Sequence, residues 1–254
     1  MDINLTIGRW DIFLLVLIRI TSMVMVAPVL GARSVPSQVK VGLSVLLAIL
    51  LTPLQPVPPP LFTSWLGTLI AVSREVIVGL LLGFSASVLF SAIQMAAQIV
   101  GVQIGFSFSN IIDPVSAQSS GFMETLYNLM ATVVFLNLGG HYALLTGLSQ
   151  SFELAPVGMY GPAPIVGDRL VALSSLAIGI ALRLALPVVG TMMLVDVAMA
   201  LVVRSIPQMN VFAVGLPVKM VVGMLTLVAL TPLTISGMAS VTQNIAAAVA
   251  GVLR

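Results

Sequence analysis

The chain contains no cysteine. That excludes disulfides, thiolate metal centres and thiol catalysis. It has one histidine, His141, and eight scattered carboxylates, which do not suit a histidine-based metal cluster. No metal and no other cofactor is expected. Charge of either sign is scarce: 7% of the 254 residues are ionisable, against about 25% in soluble domains. The net charge of +2 includes no basic run, so nothing suggests nucleic acid as a partner. There is no P-loop and no nucleotide-binding glycine pattern. No polar stretch is longer than a loop, so no separate soluble domain is expected.

What remains is hydrocarbon. Hydrophobic residues make up 59% of the chain, in continuous stretches rather than the alternation a lipid-facing barrel strand requires. The expected fold is all-α: a polytopic helical membrane protein with proline-bent hairpins, forming one membrane domain over residues 1–254. Residues 12–30 are long enough to span and read as a retained segment rather than a cleaved signal peptide. Residues 41–52 are strongly apolar but short, which suggests a half-inserted arm. Residues 53–60 (PLQPVPPP) read as an extended connector. A helix signal covers 62–100, and a pair of segments, 125–138 and 142–152, flanks Gly139-Gly140. Residues 155–167 read as a loop. Residues 168–204 exceed one simple span, and Pro187, Pro217 and Pro232 divide the C-terminal half into arms. Basic residues split almost evenly between the two sides, leaving orientation open.

Residues 76–112 carry no charge. One helix of that length would be about 55 Å long, nearly twice a bilayer core of about 30 Å. The endings lie in the central stretch 101–124 (GVQIGFSFSNIIDPVSAQSSGFME). Gly101 and Gly105 loosen the helix, and Asp113-Pro114 favours a turn. Phe106, Phe108, Ile111 and Ile112 have no reason to face bulk water. Read from the residues alone, this apolar tip is either a plug or a packed connector.

Two further patterns stand out. Gly79, Gly83, Ser87 and Ser91 recur every four residues and form a ridge of small side chains for close helix packing. Arg19, Arg74, Glu75, Arg183, Asp196 and Lys219 lie within or beside apolar segments, where an ionised group is expensive without a partner. Arg183 and Asp196 flank Pro187 and are expected to meet if the chain bends there. Structural ion pairs are favoured over a proton or ion relay, which usually has more carboxylates or histidines at depth. A hydrolase built on Ser107 and His141 is disfavoured, because Gly105-Phe106-Ser107 matches a nucleophile motif only weakly.

Three stretches jointly resemble one family: residues 27–47 (APVLGARSVPSQVKVGLSVLL), 101–114 (GVQIGFSFSNIIDP) and 207–219 (PQMNVFAVGLPVK). They look like the FliR family of flagellar type III export-gate subunits, in the same order and over nearly the whole chain. The resemblance implies a non-enzymatic subunit in the bacterial inner membrane at the flagellar basal body. It implies assembly with FliP and FliQ homologues, contact with an FlhB homologue, and passage of unfolded export substrates. It also implies a channel-closing loop that includes Phe106, Phe108, Ile111 and Ile112, with Gly101 and Gly105 as hinges and Asp113-Pro114 at its end. Pro207, Gln208, Asn210, Phe212, Gly215 and Pro217 match another stretch of the family and are assigned to assembly or fold. The alternatives are a homologous injectisome subunit and a small-molecule or ion transporter, which commonly shows an inverted repeat. No convincing repeat is present.

Overall fold

The computed structural model describes residues 3–56, 64–106, 121–158, 166–206 and 210–252. Among the described residues there are seven α-helices, one 3-10 turn and no strand. In chain order these are α1 (Ile3–Val26), α2 (Ser37–Leu51), the 3-10 turn Thr52–Leu54, α3 (Trp65–Ile104), α4 (Phe122–Asn137), α5 (Gly140–Leu154), α6 (Val166–Ser205) and α7 (Val211–Gly251).

Among the described residues four stretches are long and apolar enough to cross a membrane: Ser37–Leu54, Trp65–Ile104, Gly167–Ser205 and Ala213–Val249. Counting the pair α4–α5 as one span makes five. The chain is thus an all-α, polytopic membrane protein. The residue 12–30 segment, expected to span, is not among these stretches. Its helix, α1, carries Arg9, Asp11 and Arg19 within 24 residues. The segment expected to be too short proves longer. α2 starts at Ser37, directly after Pro36. Its end is extended by the 3-10 turn, where Pro53 sits in the first turn and its missing N–H goes unneeded.

The prolines do not divide the C-terminal half into separate helices. α6 runs for 40 residues through Pro187, and α7 for 41 through Pro217 and Pro232. Each proline removes one helical donor, to the carbonyls of Arg183, Ala213 and Val228 respectively. All the other backbone groups still need partners in apolar surroundings, so the helix resumes at once. The chain breaks elsewhere. Between α4 and α5 Gly139 has φ 71°, a left-handed conformation that side chains rarely adopt.

The chain falls into two compact units. The first comprises Met1–Phe90, Gly139–Ser174 and Gln243–Arg254, and the second Ser91–Leu138 and Ser175–Thr242. In the first, Leu15, Val16 and Ile20 of α1 are fully buried, as are Leu82 of α3 and Leu144 of α5. The core of the second includes Ile104 of α3, Tyr127 and Phe135 of α4, Met192 of α6 and Val241 of α7.

Candidate functional site

The most elaborate polar arrangement in the first unit centres on Arg19. Its Nε donates to Glu75 Oε2 at 2.5 Å and its Nη2 to Glu75 Oε1 at 3.1 Å, a bidentate pair. Its Nη1 donates to the Ser151 carbonyl at 3.1 Å and to Ser151 Oγ at 3.3 Å. The Phe152 ring lies under the guanidinium, 4.4 Å from Cζ to the ring centroid. Glu75 Oε1 also accepts from the Gly158 backbone N–H at 2.8 Å, while Arg74 Nη1 donates to the Gly158 carbonyl at 3.3 Å. Adjacent residues of α3 therefore grip both backbone groups of one residue beyond α5. Arg19 and Glu75 are 0% and 1% exposed, so their charges are met by protein alone. The cluster joins α1, α3 and α5, and its chemistry is that of a structural tie.

The small-residue ridge lies beside it. A side chain at Gly79 would strike the Arg19 carbonyl, and one at Gly83 would come within 2.6 Å of the Met23 carbonyl. One turn on, the Ser87 hydroxyl donates to the Val26 carbonyl. These three positions bring α3 directly onto the backbone of α1, with the buried ion pair just beyond. Ser91 falls in the second unit.

The end of α3 carries the candidate gate segment. Gly101 is buried within the last turn of the helix. Gly105 follows the helix at φ 102°, and the Phe106 N–H reaches back to the Gly101 carbonyl at 3.0 Å. This is the left-handed glycine cap of a helix C-terminus. The Phe106 ring packs on that of Phe122, at the start of α4, with centroids 5.4 Å apart. Ser107, Phe108, Ile111, Ile112, Asp113 and Pro114 lie outside the described residues.

The second unit holds the remaining ionised candidates. Asp196 Oδ1 pairs with Lys219 Nζ at 2.6 Å, and Gln103 Nε2 lies 3.5 Å from Asp196 Oδ2. The expected meeting of Arg183 with Asp196 does not occur. α6 continues through Pro187 rather than folding back, so the two remain on one helix, and α7 supplies Lys219 instead. Arg183 is exposed. Of the assembly stretch, Pro207 and Gln208 lie outside the described residues. Asn210 caps α7, its Oδ1 accepting from the Ala213 N–H at 3.2 Å. Phe212 lies in the first turn of α7, Gly215 is buried in the same helix, and Pro217 is exposed within it. Among the described residues no group of three metal-ligating side chains occurs.

The model of the family described as bacterial export proteins, family 1, matches residues 10–245, from α1 to the last turns of α7. The chain belongs to this family. Relatives within it carry the name flagellar biosynthetic protein FliR. That of Bacillus subtilis (strain 168) is 35% identical over 230 residues, covering 89% of this chain and 88% of the relative. That of Escherichia coli (strain K12) is 31% identical over 220 residues, covering 85% and 83%. That of Pectobacterium carotovorum subsp. carotovorum is 30% identical over 238 residues, covering 90% of each chain.

In this export-family chain the sequence pointed to Arg19 and Glu75 but not to Ser151, Phe152 or Gly158, which complete their shell. Nothing local marks those three. A serine, a phenylalanine and a glycine acquire the role only when α5 packs beside α1 and α3. Asn210 was legible differently. Asparagine ahead of an apolar run after a proline is a helix-start signal, and it accounts for this residue without an assembly contact.

Proposed function

We propose that the chain is a non-enzymatic subunit of the flagellar type III protein-export gate. In this reading it lies in the bacterial inner membrane at the basal body and assembles with FliP and FliQ homologues. It contacts an FlhB homologue and helps form and close the channel for unfolded substrates. The observation that carries the reading is the family match across residues 10–245, supported by relatives named for flagellar biosynthesis. The whole chain, 1–254, serves as one membrane domain, and the central stretch 101–124 serves as its gate.

Helix length supports membership of an assembly. α6 and α7 are each about 60 Å long, twice a bilayer core. In one strongly apolar 18-residue stretch of each, only 11% is buried within the chain. Exposed apolar residues on α6 run from Val171 to Val202, about 46 Å of helix. At the average tilt of about 20°, lipid covers only about 32 Å of that length. Other protein is the natural cover for the rest.

In the gate, large apolar side chains at the tip of the central stretch pack together and exclude water and ions. A passing chain displaces them, at a cost of about 1.5–3 kcal/mol for each side chain fully exposed. Gly105 lets the chain leave α3 at a sharp angle, and the Phe106–Phe122 contact holds the near end of the stretch against α4.

The test is co-expression of the tagged chain with its FliP and FliQ homologues, purification in mild detergent, and native mass spectrometry. A complex containing all three is expected. A tagged chain that emerges as a clean, stable monomer overturns the reading.

A further inference from the structure

Arg183 has no counter-charge among the described residues. The other intramembrane candidates are all engaged. Arg19 holds Glu75, Arg74 holds the Gly158 carbonyl, and Lys219 holds Asp196. Arg183 sits about 25 Å along α6 from one end and about 33 Å from the other, with exposed apolar residues on both sides of it. A guanidinium cannot shed its charge, so it must find an anion or water.

Beside it is a pocket of about 70 Å³ between α6 and α7, within the second unit. Leu184, Pro187, Leu230 and Leu233 form its apolar wall. Thr234 also lines it, but its hydroxyl already donates to the Leu230 carbonyl at 3.0 Å. Pro187 has no N–H, so the Arg183 carbonyl lacks its helical donor. The pocket therefore offers a guanidinium to an anion, and it has room for the tip of one side chain or a few waters.

We propose that Arg183 and this pocket are the docking site for a carboxylate carried by an apolar helix of another subunit. The inference rests on the reading that the chain works inside an assembly, and it names the chemistry of one contact there. Charge decides the headgroup: a cation with no counter-charge among the described residues, set among apolar neighbours, calls for a single anion. The surface around it favours a helix as the carrier. Gly179 and Gly190 lie on the Arg183 face of α6, and a side chain at either would meet nothing within 4 Å. Leu186, on the same face, is 58% exposed. Uncovered glycines on either side of an anchoring residue let a second helix backbone approach closely.

The test compares wild type with Arg183→Lys, Arg183→Gln and Arg183→Glu, each co-expressed with the FliP and FliQ homologues and purified in mild detergent. Native mass spectrometry reads the fraction of chain in complex and the lipid retained. Arg183→Lys is expected to assemble nearly as wild type, Arg183→Gln about tenfold less, and Arg183→Glu less still. Replacing the matching carboxylate of the neighbouring subunit by lysine should restore Arg183→Glu. A photo-crosslinker at Leu186, with Arg183 intact, should react within one helical turn of that carboxylate, which keeps the test open if a charge variant fails to accumulate. Three outcomes overturn the proposal. One is Arg183→Gln assembling as wild type. Another is selective loss of anionic phospholipid with every subunit kept, which makes the site a lipid site. The third is a Leu186 crosslink to lipid alone, to a second copy of this chain, or to a helix without a carboxylate. If the wild type itself brings no other subunit, the proposed function fails, and that result is distinct from all three.

Discussion

Arg19 and Glu75 stand 56 residues apart in the chain and 2.5 Å apart in space, both shut away from solvent. Taking two charges out of water is costly, and here the cost is offset by a bidentate contact, by Ser151 and Gly158, and by the Phe152 ring. Removing one partner is therefore worse than removing both. Arg19→Met or Glu75→Gln alone is expected to destabilise the chain by about 3–5 kcal/mol. The double variant Arg19→Met/Glu75→Leu should lose clearly less. Yield and melting temperature in detergent check this. Equal losses from the single and double variants would reject the tie.

The contact between α1 and α3 depends on two positions where only a hydrogen fits. Gly79→Leu and Gly83→Leu each force a side chain onto a main-chain carbonyl of α1, which cannot step aside as a flexible side chain can. An overpacking cost of about 1–3 kcal/mol is expected, with reduced assembly. Gly42→Ala is the control. A side chain there meets nothing within 4 Å, and alanine is the better helix former. A Gly83→Leu chain that assembles and melts like the parent would make the ridge incidental.

At the start of α7, Asn210 does work that its place in a family-like stretch does not reveal. Asn210→Ala should cost about 0.5–2 kcal/mol through the lost cap, whereas Asn210→Asp and Asn210→Ser should retain most of it. Hydrogen exchange at the first turn of α7 reads the effect. Faster exchange in the alanine variant alone is expected. Equal exchange in all three variants would leave the residue to assembly.

The helical class is readable in the sequence, because composition is a local property. The break at Gly139 is visible in glycine alone, whereas the loop expected at 155–167 lies mostly outside the described residues and its last two residues begin α6. The continuity of α6 and α7 was not readable. Proline read as a breaker because its penalty is calibrated in water, where a freed carbonyl has a solvent partner and a broken helix is affordable. In apolar surroundings the other backbone groups have no alternative to the helix. The same misjudged break paired Arg183 with Asp196 across a fold that does not form. Lys219 could not be chosen by spacing, since only the packing of α7 beside α6 selects it.

The gate rests on the stretch that begins where α3 ends. Gly105 turns the chain out of the helix, and Phe106 seats on Phe122. On the proposed reading, Phe106, Phe108, Ile111 and Ile112 supply the stopper. Deleting residues 106–112, or replacing those four side chains by serine, should open a leak to ions and small solutes while the complex still assembles. The helices flanking the deletion keep their buried faces, so assembly and seal separate. Ser107→Ala should change neither, since a stopper needs bulk and not a nucleophile. The Phe106→Ser variant alone should leak less than the fourfold variant, because three large side chains remain to close the path. Conductance or small-solute uptake, measured in liposomes carrying the whole assembly, checks each case. An assembled deletion complex as tight as the parent would leave the stretch as a packed connector. A leak from Ser107→Ala alone would count against a seal made of apolar bulk.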